Sequence, residues 1–246
     1  MMKTFILSTA LVVAGASASS AQGFNGAELG LEFGFLNDEG ETVTNYYGGA
    51  EFSVYRQFGL AADVRAASTS ANTDNGTSLT VHGIYNGGPA GTRFGLYLGR
   101  DTIEDTEVEV VGAEVGYNFG QGDVEAYIGS GNVEDDSGDL TFIGAEGTFA
   151  LGSGFGLIGG FDRISGEVGA LDLTTTKLEI GGTYQVANQV EVFGKVGSLD
   201  LEIEGSGGSI TDDDIFVSIG AEIGLGPNAG LSFSPRSDYS GMPLFF

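Results

Sequence analysis

The chain has 246 residues, a formal net charge of −25 at neutral pH and no cysteine. Its length allows one large β domain or two ordinary domains. The acidic excess excludes nucleic acid as a natural partner, because phosphate binding needs clustered Lys and Arg. The absence of cysteine excludes a disulfide framework, a thiolate metal site and a cysteine nucleophile.

The first 21 residues have the pattern of a secretory signal peptide. Lys3 supplies the positive start, residues 5–15 form a short apolar core, and Ser19, Ser20 and Ala21 provide a small-residue cleavage site. The apolar core is too short to cross a membrane as a helix. The sequence therefore predicts an exported protein whose mature domain comprises residues 22–246.

The mature region consists of segments of about ten residues in which apolar side chains alternate with polar or small ones. Leu31 and Phe33, for example, flank Glu32. Successive side chains of a strand point to opposite faces, so each segment has one apolar face. A chain built almost entirely of such strands can turn these faces to lipid. The predicted fold is all-β, an antiparallel up-and-down transmembrane β-barrel of about 12 strands, near 27–36, 46–56, 58–67, 78–86, 92–100, 108–119, 122–131, 140–151, 154–163, 173–186, 189–199 and 213–225.

The connections between these strands alternate in length and charge. Short, Gly-, Asn- and Pro-rich turns are predicted at 56–58, 87–91, 119–122, 151–154, 186–189 and 225–229. Longer polar loops, which hold many of the acids, are predicted at 37–45, 68–77, 101–107, 132–139, 164–172 and 200–212. Outer-membrane barrels have short periplasmic turns and longer outer loops, so the acidic loops are expected outside the cell.

Aromatic residues cluster beside the predicted short turns. A ring of aromatics at one level of a barrel is typical of a membrane-interface girdle. The residues expected to form this ring are Tyr55, Phe58, Tyr85, Phe94, Phe119, Phe149, Phe155 and Tyr184.

The chain ends in Phe246 and, with the alternation above, resembles the Gram-negative outer-membrane β-barrel proteins of the porin-like kind. The resemblance implies a location in the cell outer membrane, among lipid and lipopolysaccharide. It also implies that Phe246 is recognised by the barrel-assembly machinery. Gly241 and Pro243 interrupt what should be a clean closing strand. Twelve strands ending near Leu225 are therefore favoured, with 14 strands, using residues 231–233 and 242–246, as the alternative.

The polar column of each strand is expected to line the lumen. A barrel of about 12 strands exceeds the size that side chains alone fill, and inward glycines are expected to add space. Carboxylates would attract cations, while Arg65, Lys177 and Lys195 would form a counter-patch that produces a transverse field. The predicted pore-lining residues are Glu32, Glu51, Arg65, Glu114, Glu146, Lys177, Glu179, Lys195 and Glu222. A lumen filled by Glu–Lys and Glu–Arg pairs, with no useful conductance, remains the alternative.

The function predicted first is a passive, weakly cation-preferring channel for ions and small hydrophilic solutes, which uses no cofactor. The alternative is a non-conducting structural or adhesive barrel with acidic surface loops, and a soluble extracellular β-protein is the third interpretation. The acidic runs 134–136 and 212–214 allow weak binding of divalent cations. No catalytic motif is present. His82, the single histidine, has no recognisable partner and is expected to be structural, so the chain is not predicted to be an enzyme.

Overall fold

The structure is a computed structural model that describes residues 23–37, 40–70, 75–89, 91–103, 106–133, 138–205, 207–228 and 230–236. Within these ranges no helix is long and apolar enough to cross a membrane. The chain forms twelve strands: β1 (Phe24–Leu36), β2 (Thr42–Tyr55), β3 (Phe58–Thr69), β4 (Asn75–Tyr85), β5 (Thr92–Ile103), β6 (Thr106–Asn118), β7 (Gly122–Val133), β8 (Gly138–Gly152), β9 (Phe155–Val168), β10 (Leu171–Ala187), β11 (Val190–Gly205) and β12 (Gly208–Leu225).

Each strand pairs antiparallel with its neighbour in sequence, and β1 pairs with β12 to close the barrel. Closure satisfies the backbone donors and acceptors that an open sheet edge would leave unpaired. The closing register aligns Leu29 with Ile223 and Phe33 with Ile219. The predicted 12-strand, up-and-down antiparallel barrel is confirmed.

The apolar column of the strands faces outward. Leu96 and Leu98 of β5 are 69% and 64% exposed, and Val81 beside Leu98 is 45% exposed. Contiguous apolar surface of this extent is not tolerated in water, whereas it matches the lipid-facing band of a membrane barrel. The exposed column therefore identifies the outer wall as a surface suited to lipid.

The predicted aromatic ring is present on this outer wall at the short-turn end. Phe155 and Tyr184 pack with ring centroids 4.7 Å apart, and Phe119 and Phe149 with centroids 6.3 Å apart. All eight residues named for the ring are exposed, between 36% and 60%. The aromatics form cross-strand pairs at one level, as the sequence predicted.

The short turns occur where they were predicted. The β8–β9 turn consists of Ser153 and Gly154, with φ of 55° and 84°. Two successive positive φ values are what a two-residue type I′ hairpin turn requires, and its twist matches that of the flanking strands. The β10–β11 turn is equally short, at residues 188–189.

The prediction of long loops at the opposite end is wrong. The connections there span only residues 37–41, 70–74, 104–105, 134–137, 169–170 and 206–207, because the strands continue through most of the polar stretches. In β11 and β12, Ile203 pairs with Ile210 and Glu204 with Ser209. Backbone pairing does not depend on side-chain hydrophobicity, so polar strands extend beyond the apolar band. β12 has 18 residues, whereas about 9–11 suffice to cross a bilayer.

The 14-strand alternative is also wrong for the part of the chain that the structure describes. Residues 231–233 form no strand and lie inside the barrel. Residues 242–246, including Phe246, and the predicted signal peptide 1–21 lie outside the described residues.

The barrel lumen as candidate functional site

A polar cavity of about 320 Å³ occupies the barrel interior. Seven of the nine predicted pore-lining residues surround it, and their roles in ion passage stay predictions. Glu51 and Glu114 also face inward but are 1% and 4% exposed, and other side chains cover them. The charged residues around the cavity are Glu28, Glu32, Glu146, Asp162, Glu179, Glu191 and Glu222, with Arg65, Lys177, Lys195 and Arg236.

Strands β9, β10 and β11, together with β1 on the far side of β12, carry a continuous ion-pair network along one wall of this cavity. Lys177 Nζ lies 3.2 Å from Asp162 and 3.5 Å from Glu179. Lys195 Nζ lies 3.3 Å from Glu179 and 3.0 Å from Glu32. Lys177 therefore lies between Asp162 of β9 and Glu179 of its own strand, and Lys195 lies between Glu179 of β10 and Glu32 of β1. The transverse field expected from Arg65, Lys177 and Lys195 stays a prediction.

Arg65, like Arg236, lines the cavity without taking part in the ion pairs of Lys177 and Lys195. Its Nε is buried and has no hydrogen-bond partner among the described residues. It lines the cavity together with Lys177 and Lys195. A buried guanidinium nitrogen without a partner is uncommon, because leaving a buried donor unsatisfied costs free energy. Arg65 therefore adds a positive charge to the cavity lining, while its Nε is shielded from the cavity itself.

Several inward glycines lie against neighbouring side chains, aromatic rings among them, rather than leaving open space, which corrects the expectation that they add space to the lumen. A Cβ placed on Gly30 would lie 2.0 Å from Cζ of Tyr47. A Cβ on Gly112 would lie 2.3 Å from Cζ of Tyr97 and 2.5 Å from the Ile128 carbonyl oxygen. The Tyr47 and Tyr97 rings therefore fill the space beside these glycines, and that space is not open to the lumen.

The end of the lumen away from the short turns is apolar. Val108 and Val110 occupy the same column of β6 as Glu114, so the inward face changes from charged to apolar along one strand. This cluster was not predicted from the sequence, although Val108 and Val110 are an even number of residues from Glu114 and therefore share its inward face. The buried residues are Tyr97, Val108, Val110, Val133, Leu140, Phe142, Ile164 and Leu199.

His82 lies in a buried group of charged side chains on the opposite side of the barrel. Its Nδ1 is 2.7 Å from Glu114 Oε1, and its Nε2 is 2.7 Å from Asp63 Oδ2. The imidazole is 1% exposed. Hydrogen bonds at both ring nitrogens fix its orientation, so His82 links strands β3, β4 and β6.

The chain beyond β12 turns back into the lumen. The Leu231 N–H donates to Glu28 at 3.3 Å, and the Ser232 N–H donates to Glu51 at 2.7 Å. Phe233 is 2% exposed and packs against Ala61 and Ile84 of the wall. Nothing in the alternation pattern indicated this placement, because the carboxylates that receive these donors lie about 180–200 residues earlier in the chain.

Arg236 anchors the far end of the same segment. Its Nε lies 3.2 Å from Glu114 Oε2, and its guanidinium also binds Glu125. Its carbonyl oxygen accepts hydrogen bonds from Ser78 at 3.0 Å and Thr80 at 2.6 Å. Arg236 is 5% exposed, so these contacts are shielded from solvent.

The acidic runs considered for divalent cations are only partly described. Residues 134–136 lie outside the described residues. Asp214 lies in β12, where its Oδ1 accepts the N–H groups of Asn37 at 3.1 Å and Ile215 at 2.6 Å. Within the described ranges no three His, Asp or Glu side chains are grouped as metal ligands would be. Divalent binding stays a prediction.

No protein-family model matches the sequence, and no curated protein matches it. Solved structures do match. The NanC porin aligns with a TM-score of 0.62 and 9% identity, over 79% of this chain and 98% of that one. An outer membrane channel from Pseudomonas putida F1 aligns with a TM-score of 0.54 and 13% identity, over 83% and 96%.

The KdgM porin, solved in complex with disordered oligogalacturonate, aligns with a TM-score of 0.52 and 9% identity, over 80% of this chain and 98% of that one. At such low identity these likenesses concern the fold alone. They agree with the closed topology and the exposed apolar wall described above. The chain has the closed β-barrel fold of outer-membrane porins.

Proposed function

We propose that this protein is an outer-membrane channel for the passive diffusion of ions and small hydrophilic solutes. The observation that carries the proposal is a charged cavity enclosed by a barrel whose outer wall is apolar. A purely structural barrel has no need of such a cavity, because ion pairs and apolar side chains can fill an interior completely. The polar lining lets water and solutes occupy the space that lipid cannot enter.

The charges around the cavity support a weak preference for cations. Seven carboxylates and four cationic side chains line it, which leaves an acidic excess. Low-dielectric walls focus the field of this excess into the lumen and raise the local concentration of cations. Lys177 and Lys195 offset part of the field, since they lie within 3.5 Å of carboxylates. The preference is therefore expected to be weak.

The proposed location is the outer membrane, with the short turns and their aromatic ring toward the periplasm. The exposed apolar wall supports burial in lipid, and strands that extend past it support projection of the opposite end from the surface. Lipopolysaccharide is the expected neighbour of that end. Recognition of Phe246 by the assembly machinery and export by residues 1–21 belong to the same proposal.

The experiment that tests the cation preference compares Glu222→Gln and Glu146→Gln with the parent barrel in planar bilayers. Both glutamates line the cavity, and their neutralisation should lower the cation-to-anion permeability ratio. Glu202→Gln is the matched control, because this exposed residue of β11 does not line the cavity. An unchanged ratio in both lumen variants would remove these carboxylates from the ion pathway.

The second candidate is a non-conducting barrel with a structural or adhesive role. The observation that favours it is the apolar cluster across the outer half of the lumen, including Phe142 and Leu199, which are 0% and 1% exposed. A folded barrel that gives no current steps in a planar bilayer would support this candidate over the channel.

A further inference from the structure

The segment Gly230–Arg236 lies inside the lumen and forms no part of the barrel wall. We propose that this segment is an internal plug, and this proposal rests on the channel function proposed above. The plug narrows the lumen from the short-turn end, and the barrel conducts more when the segment leaves.

The wall of the lumen is built to receive this segment. Ser232 donates its N–H to Glu51, which also accepts a hydrogen bond from Asn25 at 2.8 Å. Ser234 donates its N–H to Glu125 at 3.3 Å and its hydroxyl to Glu146. Irregular backbone inside a barrel must find partners for its donors, and here inward carboxylates supply them.

Two side chains hold the segment at separate points. Phe233 lies against His82, with ring centroids 6.5 Å apart and 9° between the ring planes, and Arg93 lies 5.0 Å from its ring centroid. Arg236 pairs with Glu114 and Glu125. These contacts cover the buried group around His82 and separate it from the cavity.

The segment can detach without unfolding the barrel, because it contributes nothing to the closed sheet. No residue from 230 to 236 belongs to a strand, and β1 and β12 close the sheet without it. Gly226 and Gly230, with φ of 83° and 154°, flank the connection at the short-turn end. Gly226 and Gly230 provide points at which the chain can pivot.

The test uses the full-length chain with Phe233→Ser and Arg236→Ser combined, which preserves length and terminus. Arg100→Ser is the matched control, because Arg100 forms exposed ion pairs with Glu107 and Glu109 at the other end of the barrel. In planar bilayers the double variant should show a severalfold higher conductance than the parent, and the control should match the parent.

A cysteine reporter separates this proposal from the channel function. The chain has no cysteine, and Ala61 is 4% exposed beneath Phe233, so Ala61→Cys places one thiol behind the segment. With Ala61→Cys present in both proteins, the double variant should react with a membrane-impermeant thiol reagent severalfold faster than the parent. Faster labelling without current steps would support the plug and contradict the channel. Equal conductance and equal labelling in folded parent and double variant would overturn the plug while leaving the channel intact.

Discussion

The imidazole of His82 lies nearly parallel to the ring of Phe233, with centroids 6.5 Å apart and planes inclined by 9°. This contact joins the middle of β4 to a residue 151 positions later, outside any strand. It connects the only histidine of the chain to the segment that occupies the lumen.

Replacing Phe233 with Ala should loosen the segment Gly230–Arg236 without unfolding the barrel. The lost burial removes the apolar contacts with Ala61 and Ile84, and a cost of about 3 kcal/mol is typical for such a deletion. Amide hydrogen exchange should therefore accelerate at Leu231, Ser232 and Ser234, while strand amides keep their protection. Phe119→Ala on the outer wall is the control and should leave these three amides unchanged.

The glycine beneath Tyr97 should not tolerate a side chain. Gly112→Ala forces a contact with the Tyr97 ring and with the Ile128 carbonyl oxygen, so we expect a loss of about 1–3 kcal/mol. Gly83→Ala is the matched control, because its Cβ meets only the Leu96 carbonyl oxygen, at 3.9 Å. Urea unfolding of vesicle-inserted protein measures both variants. Equal stability of the two would contradict the packing of Tyr97 on the wall.

The ion-pair network predicts that Lys195 stabilises the barrel more than an exposed arginine does. Lys195→Ala leaves Glu32 and Glu179 without this shared partner in a largely buried wall, at a cost of about 1–3 kcal/mol. Arg100→Ala breaks exposed pairs that contribute about 0–1 kcal/mol. The same unfolding assay compares them, and a cost for Lys195→Ala as small as that for Arg100→Ala would show that the network contributes little.

A charge on the outer wall tests which part of the barrel lies in lipid. Leu98→Arg places a cation among exposed apolar residues and should destabilise the inserted barrel by about 2–4 kcal/mol. Ile210→Arg is equally exposed, at 67%, but lies beside the β11–β12 turn, where the cost should fall to about 0–1 kcal/mol. Similar costs at both positions would place the extended strands inside the bilayer.

The sequence was sufficient for the strands and short turns because both depend on local patterns. The alternation around Leu96 and Leu98 sets which face points outward, and Ser153-Gly154 marks a turn. The long loops were mispredicted because polar residues near Ile203 and Ile210 pair through their backbones, which side-chain hydrophobicity does not report.

The contents of the lumen were harder to predict for a related reason. Alternation placed Glu32 and Lys195 on the inner face but did not show that they form a pair 3.0 Å apart. The contact of Arg236 with Glu114 spans 122 residues and depends on the curvature of the closed sheet. Long-range pairing of this kind leaves no periodic signal in the chain.

The zero-current potential of the full-length barrel in a planar bilayer under a KCl gradient tests the proposed cation-preferring channel directly. We expect discrete current steps and a potential whose sign shows a modest preference for K⁺ over Cl⁻, because carboxylates outnumber cationic side chains around the cavity. A folded, inserted barrel that gives no steps, or a potential of the opposite sign, would contradict the proposed channel.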